Sequence, residues 1–338
     1  MTLGALALGP LLAPSASESP VRALTWLLIL GSSVHVAATG YLFTVRAVRN
    51  HAMEHRGRYL YVPASCIGLA ALLAAVLRPS QVGWILLPYF CWQFFHFQKQ
   101  NLGLVAIAAG ALGASAPSAG ERRALMLAGY AGILGLAARP ALLQLTVATH
   151  IGGLYVAALG LSLAAILGGL VALLARPRGE NRLGYCVVYL SSLGFFTPVF
   201  LFHSPYAAVA GLTIAHGIQY LVLVGLVAGG ASRPADRTFG IAIFLNVALI
   251  GGIALSAASH LHGGAMMERL VFGAYLGLVM THFVVDAGLW RLRDPFPRAF
   301  LAARLPYLVR AAPARELRST IDREAIYSDA RGPQSRNG

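Results

Sequence analysis

Charge is scarce in this sequence. Only 11% of the 338 residues are Asp, Glu, Lys or Arg, against about 25% in a soluble globular chain. Lys99 is the sole lysine beside 25 arginines, and acidic residues number 12. Cysteine is equally sparse: Cys66, Cys91 and Cys186 lie in apolar stretches with no CxxC spacing. That excludes a disulfide scaffold and a cysteine-ligated zinc site, and leaves the three as small apolar residues. The net charge of +14 has no basic patch interleaved with aromatics to accompany it, so nucleic acid is not expected as a partner. There is no fixed-period repeat and no stretch with the composition of a soluble domain.

What fills the sequence is apolar residues, at 57% of the chain and a mean hydropathy of +0.68. A soluble fold cannot bury so large a share, so the sequence predicts an all-α, polytopic membrane bundle. Nine segments approach the roughly 20 apolar residues a spanning helix needs: 23–45, 59–77, 82–112, 123–140, 145–175, 183–202, 206–230, 239–258 and 267–290. Residues 1–22, interrupted by Pro10 and Pro14 and without a basic leader, are expected to form a loose tail rather than a cleaved signal. Residues 23–290 make up the membrane domain. Residues 291–338 form a basic tail, its first part (RLRDPFPRAFLAARLPYLVR) suited to a short interfacial helix.

Arginine placement orients this map. The loops after the odd-numbered spans, with the tail, carry 21 arginines, and the opposite loops carry four, Arg22, Arg78, Arg139 and Arg269. By the positive-inside rule the N-terminus lies outside and the C-terminus in the cytoplasm, as in a bacterial inner membrane. The alternation also decides a local ambiguity. If His96-Phe97-Gln98-Lys99-Gln100-Asn101 were a loop, every later loop would change sides and the bias would collapse. The hexapeptide is therefore expected inside the third span, near the bilayer middle.

Ionisable residues at that depth are costly and mark function. Counted at 1.5 Å per residue, His35, His96, His216 and His282 all fall roughly 15–21 Å from the outer surface, each on a different span. A single such histidine is often an interhelical hydrogen-bond donor. Four at one depth suit a buried metal. Asp286 follows His282 by four residues and shares its face, so it reads as a fifth ligand or as an orienting carboxylate. Thr39, Gln100, Asn101 and Gln219 each lie about one turn from one of these histidines, as second-layer or substrate-contacting groups. His150 is a further candidate near the start of the fifth span. Lys99, one turn from His96, is expected as a base, an imine-forming amine or a counter-charge to Asp286. His51-x-x-x-His55, with Glu54 between them, lies among arginines in the first cytoplasmic loop and reads as a solvated segment.

The aromatic run ending in His96-Phe97, with single histidines on other spans, resembles the Brp/Blh family of polytopic β-carotene dioxygenases. The likeness covers short stretches around His35, His96 and His216. It implies a histidine-bound iron, an oxygenase reaction and a lipophilic substrate. A more distant resemblance, through Ser32-Ser33-Val34-His35 and His282-x-x-x-Asp286, is to the intramembrane zinc hydrolases of the ceramidase and progestin-receptor-like group. The HxxHH box of membrane desaturases is absent.

The sequence thus points to a metal-dependent membrane oxidoreductase, an iron oxygenase or desaturase of a lipophilic substrate. Membrane lipids and an electron donor are its expected partners. His35, His96, His216, His282 and Asp286 would be ligands, and Lys99 and Asp286 catalytic groups. Three alternatives use the same residues: a zinc hydrolase of lipids, a bis-histidine haem protein and a proton-coupled transporter.

Overall fold

The computed structural model describes residues 1–14, 20–147, 153–176, 182–230 and 234–309. His150 and the last 29 residues of the basic tail therefore lie outside the described residues. Among the described residues the fold is wholly helical. The helices are α1 (Thr2–Leu12), α2 (Arg22–Leu42), α3 (Arg46–Glu54), α4 (Gly57–Val76), α5 (Pro79–Ala111), α6 (Ala119–Ala138), α7 (Leu154–Leu174), α8 (Arg182–Leu193), α9 (Tyr206–Gly229), α10 (Ala235–Ser259), α11 (Met266–Leu289) and α12 (Pro295–Arg304).

Six of these (α2, α4, α7, α9, α10 and α11) are long and apolar enough to cross a membrane. They suggest a membrane protein, and the outer surfaces agree. Val156, Leu163, Leu167 and Val171 of α7 and Leu245, Leu249, Ile250 and Ile253 of α10 are all exposed, a surface that water would not tolerate at this extent. The remaining expected spans differ in detail. The segment 183–202 is not one helix: α8 ends at Leu193, and a turn separates it from the four residues Pro198–Leu201. The α6 helix carries Glu121, Arg122 and Arg123 near its start and stops at Ala138, where Arg139-Pro140 breaks it as the sequence predicts. The helix α5 runs unbroken for 33 residues, so 96–101 lie within a helix and not in a loop.

The N-terminal segment is not loose. Thr2–Leu12 is a helix lying antiparallel along α9, with Ala5, Leu6 and Gly9 buried. The expectation failed because Pro10 falls in the last turn, where it removes a single backbone bond, the one to the Leu6 carbonyl. That carbonyl packs against the Gly211 backbone instead: a Cβ added at Gly211 would lie 2.5 Å from it.

A second close approach positions the site. A Cβ on Gly31 would fall 2.8 Å from the Ile214 Cα, and one on Gly217 would fall 2.5 Å from the Gly31 Cα. Small residues let α2 and α9 touch backbone to backbone, as helices in lipid do. The contact sits one turn from His35 and beside His216. Just before His35, residues 30–34 form a π-helical turn, a local widening of the helix often found at functional positions.

Elsewhere the bundle is tied by an ion pair that sequence reading did not single out. Glu121, fully buried at the start of α6, meets the Arg176 guanidinium at 3.0 Å and accepts a hydrogen bond from the Tyr185 hydroxyl at 3.0 Å. Arg176 also stacks on the Tyr185 ring, 3.8 Å from its centroid. One buried carboxylate thereby joins α6, the end of α7 and α8. Beyond α11, the expected tail helix is present as α12, with Leu301 buried against the core formed by α2, α9 and α11.

Candidate metal centre

Four helices deliver four imidazoles to one place. His35 comes from α2, His96 from α5, His216 from α9 and His282 from α11, and each is no more than 8% exposed. Their rings form a closed circuit. Centroids are 4.9 Å apart for His35–His216, 5.0 Å for His216–His96, 5.0 Å for His96–His282 and 4.9 Å for His282–His35. Across the circuit His216 and His282 are 6.3 Å apart. An ion binding imidazole nitrogen at about 2.0–2.1 Å holds each ring centroid roughly 3.2 Å away. Neighbouring rings then lie about 4.6–5.4 Å apart, and opposite rings about 6.5 Å. The observed ring spacings are compatible with metal binding, and the ligand atoms in mutual reach form two triads that share His282.

The nitrogen inventory agrees. Both ring nitrogens of His35 and of His216, and Nε2 of His96 and of His282, are buried without a hydrogen-bond partner. Buried polar atoms are almost always paired, so four adjacent rings that each keep an unpartnered nitrogen are suited to metal ligation, one nitrogen per ring. Candidate ligand atoms of His35, His216 and His282 lie within 4.8 Å of one another, as do those of His96, His282 and Asp286.

Asp286 completes the donor set. Its Oδ2 is 3.6 Å from His96 Nε2 and 3.6 Å from His282 Nε2. Its Oδ1 accepts a hydrogen bond from the Tyr220 hydroxyl at 2.9 Å. The Tyr220 oxygen is 2.9 Å from Thr39 Oγ1, which is 2.7 Å from His282 Nδ1. A carboxylate only accepts, so the polarity of the chain follows. Tyr220 gives its proton to Asp286, Thr39 gives its own to Tyr220, and His282 Nδ1–H donates to Thr39. The chain fixes the His282 tautomer that leaves Nε2 free to ligate, the usual device for orienting a metal-bound imidazole.

Aromatic rings hold the other ligands. Phe97 stacks on His216 at 3.9 Å and Phe283 on His96 at 4.7 Å. Phe94, Phe97, Phe195 and Phe196 pack as one cluster beside the site, while Trp84 and Trp92 of the same aromatic run are exposed.

The sequence-expected residues divide clearly. His35, His96, His216, His282 and Asp286 come together. Thr39 joins them, serving His282 rather than His35, its neighbour on α2. Gln100 donates to the His216 carbonyl at 3.1 Å and to Gln219 Oε1 at 2.9 Å, and Gln219 donates to Thr2 Oγ1 at 2.9 Å. These three form a polar layer under the His216 backbone and do not touch the rings. Asn101 turns the other way: it donates to Gln98 at 3.3 Å, and Gln98 donates to the Leu125 carbonyl of α6. It holds helices together and is not part of the site.

Lys99 is not part of it either. Three residues along a helix rotate the side chain by about 60° from His96. His96 stands at the edge of the buried face, so that step carries Lys99 onto the exposed face it shares with Trp92. Lys99 makes no ion pair with Asp286, whose partners are Tyr220 and the two histidines. Tyr220 is the functional residue the sequence reading missed. Its signal was available, since it follows His216 by four residues and so shares its face.

No family model, curated protein or solved structure matches this chain. The reading of the site therefore rests on its geometry.

Proposed function

We propose that the protein is a membrane-embedded metalloenzyme, an iron-dependent oxygenase or desaturase of a lipophilic substrate. The observation that carries this reading is the closed circuit of four buried imidazoles, each with an unpartnered ring nitrogen. Three further considerations support iron. Neutral imidazoles with one carboxylate suit non-haem iron and oxygen chemistry. Five candidate donors exceed the four that a closed zinc site uses. The four rings occupy all sides of the centre, leaving no plane for a macrocycle.

In this reading the nine-span topology holds, with 183–202 crossing as a broken helix. The start of α2 lies on the outer side, α1 re-enters the bundle beside α9, and the ligands lie near the bilayer middle. The bound ion would supply the redox chemistry. The chain's own residues do the rest. Tyr220 and Thr39 hold His282 and Asp286 in register, and Asp286 Oδ2, between His96 and His282, is placed to receive or return a proton. The stacked Phe97 and Phe283 keep the site dry, which protects reactive intermediates from water. Substrate reaches the site from the surrounding lipid.

The test is oxygen uptake by protein reconstituted in lipid with ferrous iron, offered long-chain polyenes and other unsaturated lipids. Substrate-dependent uptake that His282→Ala abolishes is expected. Stoichiometric zinc together with cleavage of a lipid ester would overturn the reading in favour of hydrolysis.

A further inference from the structure

A second group of metal-capable side chains lies at the C-terminal end of α3, separate from the buried ligands. His51, Glu54 and His55 offer ligand atoms that all lie within 4.8 Å of one another. We infer that His51, Glu54 and His55 form a separate, solvent-accessible site for a zinc-class divalent cation.

Three observations go beyond mere proximity. First, His51 lies in the last turn of α3 and His55 caps its C-terminal end, with ring centroids 4.3 Å apart, and Glu54 lies three residues from His51, within reach of the same face. Second, the His51 ring is fixed before any ion arrives. It lies flat on Phe296 of α12, with centroids 4.0 Å apart and planes within 7°, and meets Tyr59 edge-on at 5.5 Å. A ligand that is already oriented loses little freedom on binding. Third, His55 Nδ1 is 3.0 Å from the His51 carbonyl. A carbonyl only accepts, so Nδ1 carries the hydrogen and Nε2 keeps the free lone pair. That backbone-oriented tautomer is the one metal-bound histidines use.

Two imidazoles and one carboxylate fit the three-ligand zinc pattern, with a fourth position open to water. The surroundings are mixed. The Asp294 carboxylate at the start of α12 favours a cation near His51, and Arg58 opposes it. Because His51 rests on Phe296, an ion here would sit beside α12 and the base of the basic tail. The site is independent of the buried centre: the two share no residue.

The experiment uses the full chain in detergent, stripped by chelator and titrated with Zn²⁺ and with Co²⁺ as a spectroscopic probe. Wild-type protein is expected to bind one equivalent that the exposed-residue variants His55→Gln and Glu54→Gln weaken at least tenfold, with the visible Co²⁺ band of this site lost. His282→Ala is expected to leave that equivalent in place. Zinc affinity unchanged in His55→Gln and in His51→Ala would overturn the inference, as would binding only at millimolar zinc. If His282→Ala loses no metal while His55→Gln does, the buried centre fails and the α3 site stands.

Discussion

Asp286 Oδ1 and His282 Nδ1 are joined through exactly two hydroxyls, those of Tyr220 and Thr39, at 2.9, 2.9 and 2.7 Å. The two residues are also one turn apart on α11, where Asp286 Oδ2 approaches His282 Nε2 at 3.6 Å. The carboxylate therefore acts on both ends of the same imidazole. It presents a charge near the nitrogen that would hold the ion, and it sets the proton on the other nitrogen through the relay.

Breaking the relay should loosen the ion without removing a ligand. Tyr220→Phe deletes the donor to Asp286, and Thr39→Val deletes the acceptor from His282. Each is expected to lower metal affinity by about 10- to 100-fold, the usual cost of losing an outer-layer partner. Competition with a chelator of known affinity measures it. Affinity unchanged in both variants would show that the relay does not orient His282.

Lys99→Met should leave metal content as it is in the wild type. The side chain points from the exposed face of α5 and meets none of the ligands. Loss of the ion in Lys99→Met, measured by elemental analysis on protein of native size-exclusion profile, would return Lys99 to the site.

The contact of Gly31 with Gly217 is expected to tolerate no larger residue. Gly217→Leu would force α2 and α9 apart and separate His35 from His216. Overpacking costs about 1–3 kcal/mol in ordinary cores, and here the neighbour is backbone, which cannot turn away. A lowered melting temperature together with weakened metal binding is the expected pair of effects. Reduced stability with full metal affinity would mean that the helix contact does not set the ligand spacing.

Glu121 and Arg176 offer a test of the scaffold alone. Removing one partner leaves a buried charge, so Arg176→Met is expected to cost about 3–5 kcal/mol. The double variant with Glu121→Gln should recover much of that loss. Thermal unfolding in detergent reads both. A single variant as stable as the wild type would show that the pair contributes nothing.

Much of the centre was legible in the sequence. The grouping of His35, His96, His216 and His282 was suggested by a common position counted along apolar runs, and that of Asp286 by helical spacing. Which way each neighbour faces was harder to read, because a helix in lipid has no polar side to mark its exterior. Lys99 and Gln100 are adjacent, yet one is exposed and the other reaches the His216 carbonyl. Thr39 was assigned to His35 because both lie on one helix, but the packing of α2 against α11 gave it to His282. The α1 helix was hidden by Pro10, whose position in the last turn makes it harmless. Glu121 was concealed by its ordinary setting: a Ser-x-x-Glu capping box at Ser118 explains a glutamate without calling for Arg176.

Metal content of the detergent-purified protein, compared with His35→Ala, His96→Ala, His216→Ala and His282→Ala, tests the central claim most directly. One buried iron per chain, retained when His51 and His55 are replaced and lost or strongly depleted in each of the four variants, is the expected result. A folded wild-type protein that takes up no iron at that centre, or four variants that keep it, would contradict a shared four-histidine ion.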